Sequence, residues 1–354
     1  MNARELGRAT LARQGLLERS AVGSTSMVEQ VLGLQAQEPK PPFIGLWSRI
    51  DGFEADDLRA ALRSGEVVRA TLMRATLHLW SAHDYKSLRS ALQPALDDAM
   101  GGILMARGVG VVVDDTLAAA RKLLARGKKL TFNEIRDELR EQFPDVDHRA
   151  LGYVTRTGLP LAMVPTDDTW GYPRDSQFEI VAKVDKAAAT EELVRRYLAA
   201  FGPATPQDMQ VWSGLKGLKS VFASIEDELE ALDGGLYDLP GAPRPDPDAP
   251  APVRFLPAFD NMLLGHKDRT RIIDDEHRPK VATKNLRIHP TFLVDGFAAG
   301  MWSIKATKKK ATLTLEPFAK LTKKTQKELE DEGEQLLRFA EPGVDARQVV
   351  LADR

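Results

Sequence analysis

Residues 190–225, TEELVRRYLAAFGPATPQDMQVWSGLKGLKSVFASI, decide the fold class of this chain. Apolar residues recur at helical spacing up to Gly202, and Thr205-Pro206 is a typical start of a second helix. That short helix ends at Gly214, and a further helix follows, which predicts a helix-turn-helix. Strand-like residues continue to Tyr237. Three helices followed by a β element are the parts of a winged helix.

The two segments before this stretch show the same order of helices and then β elements. In residues 1–92, Val67–Trp80 (VVRATLMRATLHLW) is rich in β-branched and apolar residues and predicts a strand pair or one long strand. In residues 93–186, Thr131 and Glu134 form the pattern of a capping box at a helix start. We therefore expect an α+β fold of tandem winged-helix modules, three in number, at residues 1–92, 93–186 and 187–238.

Beyond these modules the pattern changes. Residues 239–253 contain six of the chain's 21 prolines and predict a linker. Residues 291–318 then alternate between apolar and polar, and Leu321–Phe339 is a charged amphipathic segment. Residues 254–354 are therefore predicted to form a small antiparallel β-sheet or barrel with a terminal helix.

Composition excludes several classes of protein. The chain of 354 residues has no cysteine, and its six histidines show no metal-binding spacing, so we expect neither a metal nor another cofactor. No apolar run reaches membrane-spanning length and the N-terminus lacks the features of a signal peptide, so a cytoplasmic protein without membrane contact is expected. Nucleotide-binding glycine motifs are also absent from the sequence.

Charge is distributed unevenly along the chain. The formal net charge is −2, which argues mildly against general affinity for nucleic acid. Between Leu264 and Lys310, however, there are eleven Lys or Arg and five Asp or Glu residues. This segment is either a cationic face for phosphates or an ordinary solvated surface.

Five segments, in order along roughly residues 33–305, carry a resemblance to a known family. They are LGLQAQEPKPPFIGLWSRI, MRATLHLWSAHDY, FGPATPQDMQVWSGL, LPAFDNMLLGHKDR and FLVDGFAAGMWSIK. Together they resemble the AlkZ/YcaQ family of winged-helix DNA glycosylases. The resemblance implies three winged helices with a C-terminal β-barrel. It also implies excision of N7-alkylated guanine from double-stranded DNA, including guanines in interstrand cross-links. One branch of the family protects bacteria that make DNA cross-linking antibiotics.

The family's catalytic signature is Gln, an apolar residue, then Gln or Asp. In this chain the matching residues are Gln35-Ala36-Gln37, which places it in the Gln/Gln branch and implies that the two glutamines are catalytic. Ser26 predicts a helix over Met27–Leu34, and the prolines after Glu38 favour extended or irregular backbone at Gln37. In extended backbone both amides would point the same way. The alternative is two polar residues at a frayed helix end.

An amide is not a general base near neutral pH, but it can hold and orient a water molecule. Because N7 alkylation makes guanine cationic, the base departs as a neutral molecule and needs little acid catalysis. We therefore expect Gln35 and Gln37 to position water against C1′. Glu38 either assists them or is simply solvated. The sequence shows no candidate for a lyase step, so the expected product is an intact abasic site.

Two further groups of residues are candidates. Arg74, Thr76 and His78 lie two apart in a strand-like stretch, so they would share a face and line the site, or else form a buried polar network. In the basic segment Arg269 and Arg271 would be strand neighbours, and a hairpin of this region reaches DNA in the family. The predicted DNA-binding residues are Lys267, Arg269, Arg271, Lys280, Lys284 and Arg287.

Two other functional hypotheses stay open. A non-enzymatic winged-helix regulator would explain the helix-turn-helix, but its PQDMQVWSG helix has no Lys or Arg, and the Gln35 motif would have no role. A family member that has lost catalysis is the other. The expected protein works as a monomer in the bacterial cytoplasm, associated with the nucleoid.

Overall fold

The structure is a computed structural model that describes residues 1–283 and 287–352. In this part of the chain the helices are α1 (Ala3–Arg13), α2 (Ser24–Gln30), α3 (Pro41–Trp47), α4 (Ala55–Ser64), α5 (Ala82–Leu88), α6 (Gln93–Arg107), α7 (Val113–Leu123), α8 (Phe132–Gln142), α9 (His148–Gly158), α10 (Thr190–Phe201), α11 (Pro206–Ser213), α12 (Leu218–Ser224), α13 (Arg278–Val281) and α14 (Lys323–Ala340). The strands are β1 (Leu34–Gln35), β2 (Val67–Thr71), β3 (Leu77–Ser81), β4 (Leu130–Thr131), β5 (Leu161–Met163), β6 (Gln177–Ile180), β7 (Glu230–Leu232), β8 (Leu236–Asp238), β9 (Arg254–Leu256), β10 (Thr291–Val294), β11 (Phe297–Ala306), β12 (Lys310–Pro317) and β13 (Ala346–Leu351).

The N-terminal half contains a single antiparallel sheet. Among the described residues it has six strands in the order β1-β3-β2-β5-β6-β4. Strands β2 and β5 pair through Arg69 with Met163 and Ala70 with Ala162, so strands from the predicted first and second modules hydrogen-bond to each other. The module boundary between residues 92 and 93 and the count of three winged helices therefore remain predictions.

The segment that leads into the Gln35 motif differs from the prediction. Helix α2 begins at Ser24 after Gly23, without a cap from Ser26, and ends at Gln30, short of Leu34. Gly33 follows with a left-handed φ of 89°. The backbone thus changes direction before the motif, and Leu34–Gln35 is released to pair as strand β1.

The helix-turn-helix expected over residues 190–225 is present as α10, α11 and α12. Thr205 and Asp208 form a capping box at the start of α11, and Pro206 occupies the first turn, where its missing N–H is not needed. Strands β7 and β8 follow as a hairpin. The rings of Tyr197 and Trp212, with centroids 5.2 Å apart, lie at the centre of this unit.

The C-terminal sheet corrects the prediction of an antiparallel sheet or barrel. Its five strands in the described residues run β13-β12-β11-β10-β9, with β13 parallel to β12. In that part of the chain β9 and β13 are separate edges, so the sheet is open. The direction of β13 follows from its connection, because the chain crosses the sheet through α14 before returning, and parallel neighbours need such a crossover.

The two halves are joined by buried contacts. Arg49, just after α3, forms a fully buried ion pair with Asp260, with Nη2 2.9 Å from Oδ1. Apolar side chains of α2, α3 and β1 share one core with Phe255, Phe292 and Trp302 of the C-terminal sheet. The Gln35 motif, at the β1 edge of the N-terminal sheet, thus adjoins a core shared with the C-terminal sheet. None of the helices within residues 1–283 and 287–352 combines the length and apolar character that crossing a bilayer requires.

Candidate active site around Gln35 and Gln37

Gln35 lies on extended backbone, whereas the sequence predicts extended or irregular backbone only at Gln37, after a helix that reaches Leu34. It ends β1 opposite His78 of β3, and Ala36 continues the ladder by donating its N–H to the Leu77 carbonyl at 2.7 Å. Only 8% of Gln35 is exposed. Gln37, two residues on, is exposed. The motif therefore passes from the core to the surface within three residues.

The amide oxygen of Gln35 is held by Arg74. Nη2 of Arg74 donates to Oε1 of Gln35 at 2.9 Å, and Nη1 donates to the carbonyl oxygen of Trp212. Arg74 and Ala75 both have left-handed φ angles, 54° and 55°, in the tight turn between β2 and β3. The turn interrupts the strand, so the prediction that Arg74 shares a strand face with Thr76 and His78 is wrong. The fold nevertheless brings Arg74 to Gln35.

The backbone of the motif is held by an arginine that the sequence analysis did not single out. Arg69 on β2 donates from Nε to the Ala36 carbonyl at 2.9 Å and from Nη2 to the Gln37 carbonyl at 3.3 Å. Its guanidinium stacks over the Tyr172 ring, 4.9 Å from the centroid. One charged residue inside the apolar strand VVRAT was the available signal.

The side chain of Gln37 bonds more loosely than that of Gln35. Its Oε1 accepts from the Leu77 N–H at 3.4 Å, at the long end of hydrogen-bond distances. Both amide oxygens of the motif therefore face the same hairpin turn, between β2 and β3.

His78 is buried beneath this turn. Its Nδ1 lies 3.1 Å from the Thr76 carbonyl oxygen, which only accepts, so Nδ1 carries the proton. Burial and, second, the charge of Arg74 lower the pKa of His78 to about 3, so the ring is neutral near pH 7. Thr76 donates to the Met73 carbonyl at 3.1 Å and braces the turn. These contacts correspond to the buried polar network that was the alternative for these residues.

The basic segment approaches the same place. Burial and, second, the nearby charge of Arg269 lower the pKa of Arg74 to about 10. Arg269 is partly exposed, and the charge of Arg278 in turn lowers its pKa, after burial. Arg269 therefore lies close enough to Arg74, and Arg278 to Arg269, for their like charges to interact.

The remaining predicted DNA-binding residues differ in exposure. Lys267, Lys280 and Arg287 are exposed. Arg271 is only 3% exposed and donates to the Pro203 carbonyl at 2.9 Å, so it supports the fold in this conformation. Residues 269–271 form no strand, which corrects the expected alternation of Arg269 and Arg271. Lys284 lies outside the described residues.

A cavity of about 440 Å³ opens beside the motif. Glu38, Lys40 and Arg287 supply its charged rim, and its apolar wall includes Ile44, Pro257 and Trp302. Arg287 and Glu38 form an ion pair across the rim, with Nη2 2.8 Å from Oε1. Within the described ranges, no three His, Asp or Glu side chains cluster as metal ligands.

Comparison with known proteins gives consistent results. The model of the family described as DNA glycosylase AlkZ-like matches residues 28–339. An interstrand DNA cross-link repair glycosylase from Streptomyces sahachiroi is 25% identical over 325 residues, which cover 83% of this chain and 85% of the relative. The solved structure of the DNA glycosylase AlkZ from Streptomyces sahachiroi superposes with a TM-score of 0.81 at 21% identity, covering 99% of this chain and 100% of that chain. At that identity the superposition shows the shared fold.

Proposed function

This chain belongs to the AlkZ-like family of DNA glycosylases, and from that membership we propose that it hydrolyses the N-glycosidic bond of N7-alkylated guanine in double-stranded DNA. We further propose that Gln35 and Gln37 are the catalytic pair, as in the Gln/Gln branch. One observation carries this assignment. The two amides of the motif bond to the same hairpin turn, Gln35 through Arg74 and Gln37 through Leu77, and the charge of Arg269 acts on Arg74.

The reaction needs neither a strong general acid nor a strong general base from the protein. As the bond between C1′ and N9 stretches, its electron pair moves into the cationic guanine ring, and N7-alkylguanine leaves as a neutral base. A water oxygen bonds to C1′ and releases one proton to solvent, which leaves an abasic deoxyribose. The amides orient that water, and orientation is the catalytic effect that two neutral side chains can supply.

The open surface around the motif supports a role on cross-linked substrates as well. A guanine joined to the opposite strand cannot rotate freely out of the helix, so an enzyme must reach C1′ from a groove. Gln37 is exposed and the adjoining cavity is open to solvent, so the motif is reached without enclosing a flipped base. We propose that the chain also unhooks N7-linked interstrand cross-links, the substrate type named for its Streptomyces sahachiroi relative.

Binding of the duplex is assigned to the exposed and partly exposed cations of the basic segment. Lys267, Arg269, Lys280 and Arg287 would contact phosphates, which position DNA without selecting sequence. Arg271 is left out of this proposal because it is buried.

The test is release of N7-methylguanine from a labelled duplex, followed as alkali-labile abasic sites under single-turnover conditions. Gln35→Ala, Gln37→Ala and the double variant are compared with Gln177→Ala, a matched change at an exposed glutamine on β6. We expect the motif variants to lose about 100-fold in rate and the control to keep the wild-type rate. A second substrate carries an N7-linked guanine cross-link and is scored for strand separation.

Each outcome separates the hypotheses. If wild-type protein at stoichiometric concentration releases no N7-methylguanine, the glycosylase proposal is wrong and a non-enzymatic DNA-binding protein becomes the better explanation. If the wild type is active and both motif variants retain that activity, the family function stands and the catalytic assignment is wrong.

A further inference from the structure

The orientation of the Gln35 amide is set by the chemistry of its partner. A guanidinium has only donors, so the amide atom 2.9 Å from Arg74 Nη2 must be the oxygen. The same argument applies to Gln37, whose nearest partner is the N–H of Leu77. The oxygen and nitrogen of a side-chain amide are often hard to tell apart, because a 180° rotation exchanges them. Here both partners are donors, so the atom that faces each of them is the oxygen.

The opposite edge of Gln35 is consequently a donor edge. Its Nε2 has no hydrogen-bond partner in residues 1–283 and 287–352, and it is not among the polar atoms sealed from solvent there. The 8% of Gln35 that is exposed therefore includes the amino group. A substrate at this surface meets two N–H bonds.

Arg74 is itself fixed from the other side. Nη1 donates to the carbonyl of Trp212, whose ring is fully buried between Tyr197 and Phe201. Arg74 and Ala75 have a left-handed backbone conformation that residues other than glycine rarely adopt. This conformation persists only where surrounding contacts impose it. The core of the helix-turn-helix thus fixes Arg74, and Arg74 fixes the orientation of Gln35.

The inward-facing arginines pair in two ways, and Arg74 belongs with those, such as Arg69 and Arg89, that bond carbonyl or amide oxygens. Arg8, Arg13 and Arg49 each form an ion pair with an aspartate. Arg74 has no carboxylate partner within the described chain, and its bonds go to an amide oxygen and a carbonyl. Its charge therefore draws electron density toward Oε1 of Gln35 and makes the N–H bonds of that amide stronger donors.

We propose that Arg74 is a positioning residue that holds Gln35 with its oxygen toward the protein and its amino group toward the attacking water. Gln35 then donates a hydrogen bond to the water oxygen and leaves the other lone pair of that oxygen directed at C1′. This inference rests on the proposed glycosylase function and adds the direction of the hydrogen bond and the residue that imposes it.

The experiment is a double-mutant cycle between Arg74→Met and Gln35→Ala, with single-turnover excision of N7-methylguanine and duplex affinity measured separately. Arg89→Met is the matched control. Arg89 also lacks a carboxylate partner in the described residues, and it bonds a glutamine oxygen, of Gln93, and a carbonyl, of Thr157, so it loses the same kinds of contact away from the motif.

We expect Arg74→Met to slow excision by about 100-fold while duplex affinity changes less than about threefold. In the Gln35→Ala background the same change should slow excision by less than about twofold, because its effect passes through Gln35. Arg74→Lys, which keeps donors and charge, should restore part of the rate. Arg89→Met should leave the rate unchanged.

A second variant tests the donor role without altering Arg74. Gln35→Glu keeps the acceptor for Arg74 but has no N–H to donate, so we expect it to lose as much rate as Gln35→Ala. Retained activity in Gln35→Glu overturns the proposal. So does a tenfold loss of duplex affinity in Arg74→Met, or a further large loss of rate on adding it to Gln35→Ala, since either means direct contact with DNA. A wild type without any excision activity contradicts the glycosylase function instead.

Discussion

Nη2 of Arg287 lies 2.8 Å from Oε1 of Glu38, so the basic segment is tied to the residue that directly follows the Gln35 motif. The side chains of Arg287 and Glu38 are 55% and 46% exposed. An ion pair this exposed contributes about 0–1 kcal/mol to stability. We expect it to affect DNA binding instead, because Arg287 would exchange Glu38 for a phosphate.

We expect Glu38→Gln to tighten binding of an undamaged duplex by up to about fivefold, because it removes a carboxylate from the path of DNA and frees Arg287. Arg287→Gln should weaken binding and lower the log–log salt slope by about 1. Fluorescence anisotropy at several salt concentrations measures both. Glu38→Gln should keep the single-turnover excision rate, and a large loss would instead identify Glu38 as a catalytic assistant.

Arg269 and Arg271 should respond to substitution in opposite ways although they are two residues apart. Arg269→Gln is expected to reduce DNA affinity and the salt slope with little effect on unfolding, because its side chain is partly exposed beside Arg74. Arg271→Gln should lower the free energy of unfolding by about 1–3 kcal/mol, because it leaves the buried Pro203 carbonyl without its donor. Urea denaturation and anisotropy on the same preparations distinguish the two. An undiminished stability of Arg271→Gln would mean that the buried contact is not needed.

Gly33 should tolerate no side chain. A Cβ built there would lie 2.1 Å from Cδ1 of Trp80, on a backbone with φ of +89°. We expect Gly33→Ala to cost about 3 kcal/mol or more and to displace the adjoining Gln35 motif. Gly52→Ala is the control, since Gly52 also has positive φ, +63°, but nothing within 4 Å of its Cβ position, and it should cost about 1–2 kcal/mol. Equal urea midpoints for the two variants would contradict the packing argument.

His78 should make the protein sensitive to acid. Its pKa is about 3 in the folded state against 6.5 for the free side chain. Between these values the unfolded chain binds a proton that the folded chain does not, so stability falls as pH drops from about 6.5 toward 3, by about 1.4 kcal/mol per pH unit. His78→Gln should make the decline of unfolding free energy shallower by that amount, whereas His266, with a pKa also near 3, continues to contribute. An unchanged slope between pH 6 and pH 4 would show that His78 is not buried as described.

Some features followed from local sequence. The capping box at Thr131 and the helix start at Thr205-Pro206 appear as predicted, because they involve residues at most three apart. The helix-turn-helix and the strand character of Val67–Trp80 are likewise confirmed. The family resemblance is confirmed by the match over residues 28–339. The catalytic roles and the DNA contacts remain proposals.

Only the tertiary structure decided which strands pair and which side chains bond when the partners are distant in the chain. Alternation predicts a strand but not its direction, so the parallel pairing of β13 and the open C-terminal sheet depended on where α14 crosses. Burial of Arg271 depends on Pro203, and the bond from Arg74 to Gln35 depends on a left-handed turn that interrupts the alternation of Val67–Trp80. The sequence by itself determined the family, the motif and the helices of residues 190–225, because these are recorded in local patterns. The orientation of the Gln35 and Gln37 amides depends on long-range contacts, which no local pattern records.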